Sequence, residues 1–312
     1  MKKGNNRIAV SLLAVAFASG LASAQSQGSG APEVIKHKTN PHEVGALTPG
    51  VTGSITPAIT YHGGPVMGTP TVYFIWYGNW NQSNGSDTSS GQAILRDFVY
   101  GLNNSNYYKI NTSYGAPTGL VNSNAAEVTD NYSQGARLTD SGVQAVVSRA
   151  ISSGTLGTPN PNGIYFVLTS SDVAERSGFC TKYCGWHTAG TISGTNIKYS
   201  FVGNSSRCLS ACAAQTTGPN GNPGVDGMVS VLAHELEEAN TDPNPTSGYA
   251  DSGGAENGDK CAWTFGANLL GPVNAQYNMT LPGLSVSSRN YLVQRNLDAN
   301  SKCYVDYVTK TQ

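Results

Sequence analysis

His234, Glu235 and Glu238 form the pattern His-Glu-x-x-Glu within residues 227–243, GMVSVLAHELEEANTDP. An imidazole and a carboxylate four residues apart lie on adjacent turns of one helix face, where both can bind one metal ion. Glu235 is then placed to take a proton from a water on that ion. The spacing predicts a helix, capped by Asp226 and ended by Pro243 and Pro245. At about 100° per residue, Met228, Val231, Leu232, Leu236 and Ala239 make a core-facing stripe. Glu235 falls in its middle, His234 and Glu238 at its edge, and Glu237 points away. A carboxylate on an apolar face needs a partner or a task, because burying it unpaired is costly. The plainer reading is an amphipathic helix whose Glu235 meets an Arg or Lys and whose His234 is a hydrogen-bonded core residue.

The common zinc-protease pattern carries a second histidine where this chain has Glu238. A catalytic zinc takes three protein ligands and keeps one position open. Glu256, in the acidic glycine-rich loop 246–259, is the expected third ligand, with Asp259, Asp242 and His187 as alternatives. Asp242 before Pro243 also reads as a helix-ending turn residue, and Asp259 as a loop carboxylate. Asp251, Glu256 and Asp259 together would equally suit an oxygen-ligated ion, so calcium competes with zinc. His62 and His187, both in glycine-flanked loops, read as transition-state donors or as structural hydrogen-bonding groups. His187 is taken with Glu235 as the catalytic pair. Trp76, Trp80, Trp186 and Trp263 could line a peptide or saccharide groove or pack the core. No serine nucleophile elbow and no phosphate-cradling loop stands in the right context.

Residues 1–24 read as an export signal. Lys2, Lys3 and Arg7 precede a short apolar run, and Ala22-Ser23-Ala24 offers a cleavage site. No later stretch is long and apolar enough for a membrane helix. The formal net charge of -1 becomes more negative once those three cations leave, which gives no reason to expect nucleic acid or an anionic membrane as partner. The six cysteines, Cys180, Cys184, Cys208, Cys212, Cys261 and Cys303, favour three disulfides in an exported chain. The two Cys-x3-Cys pairs could cross-link neighbouring loops, and Cys261 with Cys303 could tie down the C-terminal segment. A thiolate zinc site competes with that reading.

Residues 25–57, rich in Gly, Pro, Ser and Thr, read as an extended N-terminal arm. Residues 58–312 then form a single domain. Strands are expected at 71–77 and 164–169, with a more polar strand within 119–133 and another at 197–202. Helices are expected at 91–104 and from Asp140 to near Gly154, with short closing strands at 291–293 and 304–308. That alternation predicts an α+β (mixed α/β) fold, a central mixed sheet covered by helices, with disulfide-tied loops. The chain is expected to be a monomer.

Several ordered blocks carry a resemblance. They are Ile59-Thr60-Tyr61-His62-Gly63-Gly64-Pro65, residues 73–77, residues 163–172 and Phe179-Cys180 with Cys184-Gly185-Trp186-His187. Residues 198–204 with Cys208 and Cys212, and Pro219-Asn220-Gly221 with residues 224–228, complete them. Across residues 58–308 the chain resembles the plant EXORDIUM / phosphate-induced protein 1 family. The resemblance implies a secreted protein of the cell wall or apoplast, linked to growth and nutrient responses, with no settled activity. Plant members commonly lack the His-Glu-x-x-Glu helix, so the chain looks like a microbial-type member, and its strand–helix order is similar to zinc-protease folds. Two functions follow as expectations. One is a secreted metal-dependent hydrolase, a zinc peptidase with Glu235 as base and His234, Glu238 and Glu256 or Asp259 as ligands. The other is a non-catalytic extracellular protein binding a cell-wall polymer.

Overall fold

The computed structural model describes residues 56–310, Met1 and the strand Glu33–Lys36, with side chains 33–36 and 122–125 left aside. The export signal and most of the N-terminal arm lie outside the described residues. Six strands make the main sheet: β1 (Glu33–Lys36), β2 (Thr71–Tyr77), β3 (Val121–Asp130), β4 (Gly163–Thr169), β5 (Tyr183–Ile192) and β6 (Thr195–Val202). Their order is β1-β5-β6-β4-β2-β3. From β6 through β4 and β2 to β3 the pairing is parallel, while β5 pairs antiparallel with both β6 and β1. The sheet is therefore mixed, as expected.

The parallel centre follows from composition. TVYFIWY and GIYFVLT are continuous apolar runs, and both strands are buried nearly throughout, as strands covered on both faces must be. The crossovers are helical: α1 (Ser89–Leu102) joins β2 to β3, and α2 (Asp140–Ser152) joins β3 to β4. Thr88 caps α1 by accepting from Gly91 N, and Thr139 caps α2 by accepting from Gly142 N. Asp140, the expected cap, sits instead in the first turn of α2, where its charge suits the helix dipole. Asp97 on α1 accepts from Leu284 N, Ser285 N and Arg289 Nε at 2.6–2.7 Å, which clips the C-terminal hairpin to the helix.

The longest helix, α3 (Pro223–Thr241), begins earlier than its apolar spacing suggests. Pro223 occupies its first turn and Asn222 caps it, accepting from Val225 N. Asp226 is not the cap. It is turned to Asn220, whose backbone N and side-chain Nδ2 both donate to it. Nor is α3 amphipathic, since every residue from Gly224 to Thr241 is buried. It packs on β5, β6, α1 and the 3-10 turn Tyr108–Tyr114. Glu237 does turn from the apolar stripe, but into protein, where Asn296 Nδ2 donates to it at 2.9 Å. Burial holds its carboxyl well above the usual range, which favours the neutral acid.

The cysteine-rich region contains a full strand, β5, that its sequence conceals. YCGWHTAGTI has two glycines and no alternation, yet it is buried along nearly its whole length. Gly185 has a packing reason. A Cβ there would lie 2.5 Å from Val231 Cγ1 of α3, so glycine lets the helix close on the strand. Disulfides Cys180–Cys208 and Cys184–Cys212 link β5 and the turn before it to the segment entering α3, and Cys261–Cys303 ties the loop after α3 to the C-terminal strand pair.

Candidate metal centre

The close contact of α3 with β5 builds the site. Four residues apart on one helical turn, His234 Nε2 and Glu238 Oε1 are 2.8 Å apart. His187 is on a sheet strand rather than in a loop, and its ring is 1% exposed. Its Nδ1 lies 3.4 Å from Glu235 Oε2 and 3.6 Å from Glu238 Oε2. On the other edge of the ring, Nε2 is 3.3 Å from the carbonyl of Asp242 and 3.7 Å from Glu256 Oε2. The loop after α3 closes the cluster. Asp259 N donates to Glu238 Oε1 at 3.0 Å, and Asp259 Oδ1 lies 3.9 Å from His234 Nε2.

Two triads of ligand-type atoms result, each with its atoms within 4.8 Å of one another. One is His187, Glu238 and Glu256; the other is His234, Glu238 and Asp259. The structure thus gathers His187, His234, Glu235, Glu238, Glu256 and Asp259, but it groups Glu256 with His187 rather than with His234. Asp242 meets His187 through its carbonyl and Glu256 through its carboxyl. Its carboxylate accepts from the backbone N of Thr246, Ser247 and Gly248, the helix-ending role its position before Pro243 suggests. His62 is exposed and has Nε2 3.1 Å from the carbonyl of Ala250. Trp76, Trp80 and Trp186 are buried, so they pack the core rather than line a groove, and Trp263 is half-buried.

Several polar atoms here are not satisfied by protein. Both oxygens of Glu256, Oε2 of Glu238, Oε1 of Glu235 and Nδ1 of His234 are buried without a hydrogen-bond partner. Native proteins rarely leave such groups unmet, and the cost is largest for charged ones. No Lys or Arg among the described residues bridges Glu235, Glu238 or Glu256; the lysine and arginine bridges run instead from Arg96 to Glu127, Lys260 to Asp251 and Arg289 to Asp97. Burial alone would lower both histidines, but the carboxylates outweigh it. Glu235 and Glu238 lift His187 to about 10, and Glu238 lifts His234 to about 9. Glu256 is held well above the usual carboxylate range by burial and by Glu238, Asp242 and Asp259. Burial also raises Glu235, to about 7, against the bond to His187. The cluster thus takes up protons unless another positive charge is present. Two imidazoles and four carboxylates are a donor set that fits a divalent ion.

The one ligand-type residue whose position the sequence hides is His187. Reading 183–192 as a strand would have placed it facing α3, and the signal for that was the hairpin register with the apolar strand β6, where His187 stands opposite Ser200.

Residues 59–304 match the family described as the phosphate-induced protein 1 conserved region. Protein EXORDIUM-like 5 of Arabidopsis thaliana is 32% identical over 284 residues, covering 78% of this chain and 76% of that protein. Protein EXORDIUM-like 3 of the same plant is 31% identical over 274 residues, covering 76% and 79%. Protein PHOSPHATE-INDUCED 1 of Nicotiana tabacum is 30% identical over 219 residues, covering 59% and 65%. No solved structure matches, and likeness to a zinc-protease fold is not shown.

Proposed function

The chain belongs to the phosphate-induced protein 1 (EXORDIUM-like) family, and we propose that it is an extracellular, non-catalytic protein whose buried His/carboxylate cluster holds a divalent cation as part of the fold. The observation that carries this reading is the closure of the cluster. Glu235, Glu238 and Glu256 are fully buried, and only the Asp259 side chain, 19% exposed, reaches the surface. A metal that works on substrate needs a position open to it; a metal that holds helix, strand and loop together does not.

The mixed nitrogen and oxygen donors favour zinc or a similar ion over calcium, which prefers six to eight oxygens. In this reading His187, His234, Glu238, Glu256 and Asp259 supply the ligand atoms, and Glu235 stands beside His187. The ion supplies the positive charge that the buried carboxylates lack. Three disulfides and the export signal support a place outside the cell, where cystine persists. A cell-wall polymer is the proposed partner of the surface.

The second reading, a metal-dependent peptidase, keeps one point in its favour: Glu235 Oε1 has no partner, as a general base awaiting a bound water would have none. Elemental analysis of the purified secreted chain, a peptidase panel on wild type and Glu235→Gln, and retention on insoluble wall polysaccharide separate the two. Bound metal without cleavage is expected. Proteolysis by wild type that Glu235→Gln abolishes would overturn the non-catalytic reading, and a chain free of metal after secretion into zinc-replete medium would overturn the cation.

A further inference from the structure

We propose that the cluster is a two-cation centre, with Glu238 as the carboxylate that bridges the ions; this rests on the cation-binding reading above. Glu238 turns its two oxygens to different partners, Oε1 to His234 Nε2 at 2.8 Å and Oε2 to His187 Nδ1 at 3.6 Å. Each imidazole has its own second acid, Asp259 for His234 and Glu256 for His187. The two triads share Glu238 and nothing else. One ion does not serve both, because the ligand atoms within 4.8 Å of one another fall into these two sets and no set joins His187 to His234. Two ions about 3.5–4 Å apart, the spacing of carboxylate-bridged pairs, can serve both.

Charge gives an independent argument. Glu235, Glu238, Glu256 and Asp259 bring four carboxylates, with that of Asp242 against Glu256 besides, and among the described residues none of the first three is bridged to Lys or Arg. One divalent ion leaves two of the four uncompensated in a closed interior, whereas two divalent ions balance them. The orphaned atoms follow the same division. Oε2 of Glu238 and both oxygens of Glu256 lie on the His187 side, while the His234 ring belongs to the other triad. A single ion at His234 would leave the first group unmet.

Zinc content of the full secreted chain, measured by mass spectrometry after dialysis, tests this. Wild type is expected to hold two zinc ions per chain, Glu256→Gln one, Asp259→Asn one, and Glu238→Gln none. Manganese loading of wild type, followed by electron paramagnetic resonance, needs no variant to fold, and an exchange-coupled signal is expected. One zinc per chain with an isolated-ion manganese signal would overturn the bridged pair and leave the cation reading standing. So would loss of the same single ion from both Glu256→Gln and Asp259→Asn. No zinc at all would overturn both.

Discussion

Glu238 stands between two histidines that approach from different elements, 2.8 Å from His234 of its own helix and 3.6 Å from His187 of the neighbouring strand. Its Oε1 also accepts from Asp259 N in the loop beyond. Helix α3, strand β5 and the 256–259 loop therefore meet on one side chain, and a cation held there would lock all three. Chelation should lower the melting temperature. An ion at a hundred times its dissociation constant adds about 2.7 kcal/mol, which for a domain of this size is a shift of roughly 5–10 °C. Scanning calorimetry with and without a strong chelator measures it. Glu238→Gln should melt at the chelated temperature and no longer respond to chelator, and a chelator response unchanged in this variant would contradict the assignment.

Without metal the same cluster should respond to alkali. His187 and His234 have folded values of about 10 and 9, above the ordinary histidine value of about 6.5. Groups raised on folding stabilise fully below their unfolded value, and that contribution disappears as pH climbs through the folded one. Glu256, raised as well, acts in the same direction. Glu238 is lowered, so its contribution is present above the unfolded value and fades as pH falls, on the acid side of this range. The metal-free chain should therefore lose stability progressively between pH 7 and about 10, while the loaded chain, whose ligands are already deprotonated, holds steady. Urea midpoints across that range decide it. Parallel curves for the two forms would show that these histidines do not carry the charge balance.

Asp97 offers the opposite sign at a place remote from the metal ligands. Burial would raise its carboxyl, but hydrogen bonds from Ser285, Arg289 and Leu284 hold it below the usual range. Its contribution is present above the unfolded value of about 3.9 and fades as pH falls through the folded one. Asp97→Ala strands Arg289 and two backbone amides, and should cost about 3 kcal/mol at pH 7. The gap from wild type should narrow below about pH 4. A constant gap would mean that the loss is one of packing.

Much of this arrangement was written in local pattern. β2 and β4 announce themselves as apolar runs, α1 and α2 as apolar stripes, and His234 with Glu238 as an i, i+4 pair. The start of α3 was hidden because Asn222 and Pro223 mark it without any apolar period, and its full burial because helix α1, the 205–207 turn and the C-terminal segment come from far along the chain. β5 was hidden for a different reason. Its glycines serve contact with α3, so its composition reads as loop. That concealed the position of His187, and with it the division into two triads. Which acid meets which histidine depends on how the loop after α3 folds back, a tertiary fact with no local signature.

The Cys261–Cys303 bridge bears on that loop. It closes a separation of 42 residues and begins two residues after Asp259. Replacing both cysteines by serine should cost about 4 kcal/mol in chain entropy and should weaken cation binding, because Glu256 and Asp259 lose their anchor. Equivalent removal of Cys180–Cys208, which does not touch the loop, should cost stability with little change in affinity. Zinc titration of the two variants checks the contrast, and equal affinities would detach the loop's order from the bridge.

Gly258 is the last contact that holds the two sides together. A Cβ at this position would lie 2.8 Å from Glu238 Oε1 and 3.0 Å from the ring of His234. Its backbone lies outside the left-handed region, so alanine there meets no torsional objection; the obstacle is the close approach alone. Gly258→Ala must push the loop off the helix, or turn Glu238 Oε1 away from Asp259 N. Either change misplaces the His234 triad while leaving β5 and the His187 side in place. The expected result is a 10- to 100-fold loss of affinity, the usual effect of disturbing what orients a ligand, with a melting temperature under chelator close to that of wild type. Calorimetric titration with zinc reads the first and a thermal scan in chelator the second. An unchanged affinity would show that the loop yields freely, and that its nearness to His234 is no part of the site.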